Sequence, residues 1–308
     1  MLLPLRSQAE GVQEVVERME AGIAITVKRA LTRQKGGFLA SGFTHTLNPY
    51  AGCAFGRVGC PFCYVRESPV GQFGPAAWGT WVRQKVNIAE VLEQELRKPA
   101  ARHYRVFMAS ATDPYQPAEA SACLTQRCLA VLRSHPVDWL VVQTRSLLVQ
   151  RDFALLAELP FATLNVSIET DLLDVHRRFT RSSASPERRM TLVRLALSLG
   201  ICTQITVSPL LPSSSNFAEM LAHTVGEKGR VIVDTFLDGD GSGGQRSARL
   251  GMDALLADAG FPGWFAGCRE QAHELRQRLL PWLGPERVLW SAEGFSMQPD
   301  PVSVKQTL

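Results

Sequence analysis

The stretch Thr44-His45-Thr46-Leu47-Asn48-Pro49-Tyr50-Ala51-Gly52-Cys53, resumed after six residues by Cys60-Pro61-Phe62-Cys63-Tyr64, decides how this chain is read. Its first residues form a short apolar and β-branched run that reads as a strand, and the glycine-containing segment behind it reads as a loop. Three thiols therefore sit on one loop directly after a strand. Soft thiolates in such a loop can wrap a metal ion or an iron-sulfur cube. A four-iron cube has four corners, so three cysteines leave one iron open to chelation by an amino acid's amine and carboxylate. A structural zinc site with His45 or another histidine as fourth ligand is an alternative, as are three merely buried cysteines. Zinc sites usually take a second ligand pair, and no second Cys-x2-Cys is present; Cys123 and Cys128 stand five apart on a predicted helix.

Outward from this loop, short β-branched runs alternate with longer amphipathic stretches. The pattern predicts strands at 44–48, 104–109, 139–144, 162–168, 203–208 and 231–236, six in all and parallel. Pro117 with Glu119 opens a predicted helix running to about Arg133. Ser185, Pro186 and Glu187 read as an N-cap, a first-turn proline and an early acid of another helix, which Gly200 stops. Further helices are expected over 9–21 and 266–280. The fold expected is α/β, a partial (β/α)6 TIM-type barrel over 44–240, with an N-terminal extension over 1–43 and a C-terminal extension with a helix over 241–308.

Composition fits an ordinary globular protein, with 45% hydrophobic and 20% charged residues in 308, and a net charge of +4 names no partner. No segment has the apolar length to span a bilayer and no signal peptide is evident, so no membrane partner and a cytoplasmic location are expected. Seven cysteines with three crowded into 53–63 are not the spacing of a disulfide framework. Asp238, Asp240, Ser242 and Gly243 begin like a calcium loop, yet Arg249 stands where the closing acid belongs, and a mobile segment over the barrel mouth is the better reading.

Cys-x-aromatic-Cys after the first strand of a βα barrel resembles the radical S-adenosylmethionine (SAM) superfamily, and Asn-Pro-Tyr-x-Gly-Cys with Cys-Tyr resembles its spore photoproduct lyase-like branch. The likeness continues through Thr112-Asp113-Pro114-Tyr115-Gln116-Pro117, Ser185-Pro186-Glu187-Arg188-Arg189 and Pro209-Leu210-Leu211-Pro212, covering roughly 44–240. The gap between the first two cysteines is six residues instead of the family's three, which lengthens the loop without removing a ligand. The resemblance implies a [4Fe-4S] cluster on Cys53, Cys60 and Cys63, SAM as cofactor, and an electron donor such as flavodoxin or ferredoxin. It also implies reductive cleavage of SAM to a 5′-deoxyadenosyl radical that abstracts hydrogen from a substrate. In the lyase a hydrogen-donor cysteine begins a Cys-Thr-Ser-Asp stretch; aligning its Asp with Asp113 puts Ser110 at the donor position. A serine O–H bond is too strong to substitute readily, so a relative with a different substrate is expected, a nucleic acid, a peptide or a small metabolite. Tyr64 matches the tyrosine after the last cluster cysteine and is the candidate catalytic residue.

Barrel active sites gather at the C-terminal ends of the strands. There the resemblance implies that Ser110, Thr112 and Asp113 receive the amino group of SAM, although an Asp-Pro turn also accounts for Asp113. Ser167 and Glu169 would contact the ribose hydroxyls or the methionine portion, Glu169 being alternatively an exposed helix-start acid. Phe62 and the backbone near Ser208 and Pro209 would lie along the adenine, or Phe62 simply packs the loop. Arg177, Arg178, Arg181, Arg188, Arg189 and Arg194 crowd one segment, and Arg181 is the candidate partner of the methionine carboxylate. Outside the enzyme class, a zinc-stabilised nucleic-acid-binding protein would use the loop structurally and these arginines for phosphates.

Overall fold

The computed structural model describes residues 23–56 and 59–299; the helix expected over 9–21 lies outside them. The expected strands form as β1 His45–Leu47, β2 Arg105–Met108, β3 Trp139–Thr144, β4 Ala162–Ser167, β5 Thr203–Val207 and β6 Arg230–Val233. They lie side by side in chain order and all run parallel, with Phe107 beside Val141 and Gln143 beside Asn165. A seventh parallel strand, β7 Val288–Trp290, adds to β6, and Leu31–Arg33 pairs antiparallel with β1 at the opposite edge. The sheet is thus a partial barrel with two open edges. Three residues are too few for β7 to show a period, which is why the sequence pattern stops at six.

Alternation along each strand sorts the side chains into two layers. Val106, Met108, Leu140, Val142, Leu164, Val166, Ile205 and Val207 face the helices and belong to the main core, whereas Phe107, Trp139, Val141 and Ile232 face the lumen. Both faces are covered, as a parallel sheet requires. The outer layer includes helices α1 Leu124–Ser134, α2 Pro186–Ser198, α3 Phe217–Val225 and α4 Cys268–Leu283, the last being the helix expected over 266–280. The Ser185 hydroxyl caps α2 by accepting from the Arg188 amide at 3.4 Å, and Gly200, with φ of 78°, follows its end.

One expected helix divides. The stretch from Pro117 to Arg133 forms a short turn, Glu119–Ala122, and then α1, parted at Cys123, which has a φ of 51°. The cause is Glu119, whose fully buried carboxylate accepts from the amides of Thr125 at 2.9 Å and Gln126 at 3.3 Å and pairs with Arg151 at 2.6 Å. An anion at a helix N-terminus satisfies the unpaired amides and the dipole together. The Tyr50 hydroxyl donates to the same carboxylate, tying the cysteine-bearing segment to α1.

That segment, Tyr50–Cys53, pairs antiparallel with Trp81–Lys85 in a separate small sheet, with Cys53 opposite Trp81. A Cβ at Gly52 would lie 2.4 Å from the Trp81 ring, and Gly52 has a φ of 88°, so only glycine fits before Cys53. At the far end of β1, the antiparallel register of Arg33 with His45 and Leu31 with Leu47 puts the 34–43 connection at the N-terminal side of the barrel. There it meets the helix Ser291–Ser296 that follows β7: the Ser41 and Ser296 hydroxyls are 2.8 Å apart, and Arg105 donates to the Ser296 carbonyl at 3.0 Å. These contacts bridge the open side of the sheet.

Candidate active site

A cavity of 440 Å³ occupies the barrel, and Cys53, Cys60 and Cys63 all line it together with Phe62 and Tyr64. From the strand ends come Ser110, Thr112 and Asp113 after β2, Ser167 at the end of β4, and Ser208 after β5. The expected residues are thus largely brought together, on the C-terminal side. Two are not in the lining. Arg181 is exposed, and Glu169 is fully buried behind the wall.

Asp113 is tied into that wall. Its Oδ1 accepts from the Thr144 hydroxyl at 2.7 Å and the Tyr115 amide at 2.8 Å, and its Oδ2 from the Arg145 amide at 2.9 Å. Burial pushes its carboxyl above the usual range, against these bonds. The carboxylate both closes a turn, as one reading of Asp-Pro supposed, and stitches the β2 end to the β3 end. Gln116, fully buried, accepts from the Ala54 amide at 3.2 Å and so fixes the cysteine loop against the same turn.

Three arginines line the cavity, Arg66, Arg145 and Arg246, and the one at a strand end is Arg145, directly after β3. It donates to the Cys60 thiol at 2.8 Å, stands 3.2 Å from a Glu169 oxygen and lies 5.8 Å from the centre of the Phe62 ring. Behind it, Arg189 pairs with Glu169 at 2.7 Å and also donates to the Ala184 and Ser167 carbonyls, with both side chains wholly buried. Burial opposes the charge on Glu169, but Arg189 and Arg145 hold its carboxyl below the usual range. Glu169 therefore positions cations rather than facing the cavity. Sequence reading missed Arg145 because it stands alone after a strand, whereas attention fell on the arginine-rich segment; its signal was its place at a strand end.

At the β6 end, Asp234 lines the cavity and accepts from the Ser208 hydroxyl at 2.9 Å; burial raises its carboxyl to about 6. Sequence reading did not single it out. The Asp240 segment, expected to be mobile, is instead knotted: its carboxylate accepts from the amides of Ser242, Gly244 and Ser247 at 2.7 to 3.0 Å, and Asp238 pairs with Arg269. It lines the mouth as an ordered turn.

The thiols suit a cluster. Burial raises Cys53 to about 12 and pushes Cys60 up as well, with Cys63 adding to the cost at both, so thiolates there call for a positive counterpart. Among the described residues no three His, Cys, Asp or Glu side chains converge as a single metal ion would need.

The radical SAM superfamily model matches residues 47–222, from β1 past β5 and over more than half of the chain. The chain belongs to the radical SAM superfamily. Membership implies SAM and a [4Fe-4S] cluster. An uncharacterised protein of Mycobacterium bovis is 30% identical over 191 residues, covering 60% of this chain and 55% of that protein. One from Methanocaldococcus jannaschii is 24% identical over 183 residues, covering 59% and 66%. The chain thus spans little more than half the length of the first of these relatives. Among solved structures, a spore photoproduct lyase variant superposes with a TM-score of 0.61 at 12% identity, covering 87% of this chain and 81% of the other. Another, with bound AdoMet and dinucleoside spore photoproduct, gives 0.60 at 12% identity, covering 94% and 86%. The fold of this radical SAM protein is shared with that lyase. No helix among the described residues is long and apolar enough to cross a membrane.

Proposed function

We propose that this chain is a radical-generating enzyme whose Cys53, Cys60 and Cys63 hold the [4Fe-4S] cluster and whose strand ends hold SAM. The observation that carries the reading is that these three thiols share one cavity with Ser110, Asp113, Arg145, Ser167 and Ser208. When bound, cluster and SAM supply reductive cleavage to a 5′-deoxyadenosyl radical, with the electron drawn from a donor such as flavodoxin or ferredoxin. A spore photoproduct lyase of the same fold binding AdoMet supports the cofactor assignment.

The chain's own groups divide the work of holding SAM. Asp113 retains lone pairs beyond its three bonds and, with the hydroxyls of Ser110 and Thr112, accepts from the ammonium of the methionine portion. Arg145 takes its carboxylate, the role first assigned to Arg181, because a guanidinium must line the cavity to pair bidentately. Glu169 and Arg189 keep Arg145 aimed. Phe62 and Ser208, the latter held by Asp234, flank the adenine, and Ser167 serves the ribose. Tyr64 lines the cavity beside Cys63 and, buried enough to be pushed up to about 12, stays a neutral phenol able to give up a hydrogen atom.

Anaerobic reconstitution with dithionite as reductant tests the proposal. The wild-type chain is expected to take up four iron and four sulfide and to release 5′-deoxyadenosine from SAM. Alanine at Cys53, Cys60 or Cys63 abolishes both; alanine at Cys123, Cys128, Cys202 or Cys268 spares them. A colourless chain binding one zinc and leaving SAM intact would overturn it and restore the nucleic-acid-binding reading.

A further inference from the structure

Between Glu67 and Arg83 the chain runs for 15 residues without a charge. A stretch of that kind ordinarily goes inside, yet Pro69, Val70, Phe73, Pro75, Ala76 and Ala77 are all exposed, Phe73 by 83%. Single apolar side chains on a surface need no explanation, whereas a contiguous run of them marks a place of contact. The run is backed from beneath. A Cβ at Gly71 would collide with the Val65 carbonyl and one at Gly74 with the Trp81 ring, so both glycines lie flat against the structure behind them.

What lies behind them is the cysteine wall. Trp81 stands opposite Cys53 in the small sheet. One edge of its ring meets Gly52, the residue before Cys53, and the indole nitrogen edge meets Gly74, the residue after Phe73. Trp78, edge-on to Trp81 at 5.9 Å, lines the cavity together with the three cysteines. Cys53 and Cys63 pack against this tryptophan pair. A single indole therefore spans from the thiol-bearing strand to the segment that carries the exposed face. Electron tunnelling falls steeply with distance, so a donor has to dock where the wall is thin, and here it is.

Charge names the occupant. From Ile23 to Ala89, the segment that builds the small sheet and the cysteine loop, eight lysines and arginines stand against one acid, Glu67, whereas the chain as a whole has 33 against 29. That acid is paired with Arg249 at 3.1 Å, and Arg83 lies 5.5 Å from the centre of the Trp81 ring. We propose that the face over 69–77 is the docking surface of an acidic one-electron carrier protein. The inference rests on the cluster assignment above and adds the face through which the cluster is reduced. There the carrier gives up one electron and is oxidised, the cluster gains it, and no atom changes hands. An apolar centre in a basic surround complements an acidic protein. A nucleic-acid backbone would leave Phe73 and Val70 without a counterpart, and a second copy of this chain would set like charge against like. Electron-transfer encounters are among the smallest protein interfaces, so a face of this size suffices.

Stopped-flow bleaching of the cluster absorbance in the reconstituted protein tests this, with pre-reduced flavodoxin and pre-reduced ferredoxin as probes and dithionite as a small reductant that needs no docking face. Phe73→Asp and Val70→Asp, both at exposed positions, are each expected to slow bleaching by the carrier about tenfold or more. Bleaching by dithionite, iron content and SAM affinity stay at wild-type values. Arg83→Gln is expected to make the carrier-driven rate less dependent on salt. Carrier rates equal in the wild type and both aspartate variants overturn the proposal, as does a wild-type chain that dithionite bleaches and neither carrier does. Variants slowed equally by carrier and dithionite overturn it too, since the defect then lies in the wall and not in docking. A wild-type dimer that Phe73→Asp dissolves gives the face to a second copy, and loss of oligothymidylate binding in that variant gives it to nucleic acid; either result overturns the carrier. A wild-type chain that takes up no iron brings down the cluster reading first, and the docking face with it.

Discussion

Arg145 and Arg181 differ in what surrounds them, and that difference can be measured. Arg145 is held by Glu169 inside the cavity, whereas Arg181 is exposed. Arg145→Leu is expected to weaken SAM binding by about 1.5 to 3 kcal/mol, roughly ten- to a hundredfold, with Arg181→Leu unchanged by calorimetry. Equal effects would return the carboxylate to the arginine-rich segment. Asp234 supplies a second residue-level expectation. Burial raises its carboxyl from 3.8 to about 6, against bonds from Ser291 and Ser208. Between those values the folded chain keeps a proton that the unfolded chain has released, so this group's contribution to stability falls as pH rises through that window. The loss amounts to about 2.4 kcal/mol from pH 4 to pH 7. Urea midpoints of Asp234→Asn should show a correspondingly flatter decline than wild type; identical slopes would remove Asp234 as the source. The cysteines and the Ser110 and Asp113 turn were legible because spacing and chain order carry them. Arg145 and Asp234 were not, since a lone charged residue after a strand acquires meaning only when strands close around it.

At the scale of elements, strands were read almost to the residue, because short runs rich in β-branched and apolar residues stand out between turn signals and amphipathic stretches. The helix after Pro117 was misread as continuous. Its periodicity carries across Cys123, and only the burial of Glu119 against Arg151 and Tyr50 shows that the chain turns back to cap α1. Glu119→Ala is therefore expected to cost about 3 to 5 kcal/mol, since it strips a partner from Arg151, frees two helix amides and releases Tyr50. Chemical denaturation measures this. The conventional cap at Ser185 gives the contrast: Ser185→Ala should cost only about 1 kcal/mol. If both substitutions cost alike, Glu119 is an ordinary cap and the division of the helix has another cause.

Taken whole, the molecule departs from the reading of a six-stranded core with appended extensions. β7 joins the same sheet, and the 34–43 segment meets the helix after β7 across the open side. None of this leaves a local pattern in the sequence, because a three-residue strand and a contact between residues 255 positions apart have no period to detect. Gly42 makes the closure testable: a Cβ there would stand 2.5 Å from the Ser296 Cα, so Gly42→Ala must push the two segments apart. The expected cost is about 1 to 3 kcal/mol, seen as a lower thermal midpoint. An unchanged midpoint would mean that the contact yields freely.

The bridge between Ser41 and Ser296 also imposes an order of events on the ribosome. The cysteines, β1 to β6 and the strand-end carboxylates are all synthesised before β7 and the helix behind it, and domains fold as their residues emerge. A nascent chain that has reached residue 240 already carries every candidate ligand for iron and SAM, yet its lumen still lies open along one flank. If the chain holds the proposed cluster, one stalled before Phe295 arrives against Phe38 would leave that chemistry open to water along this flank.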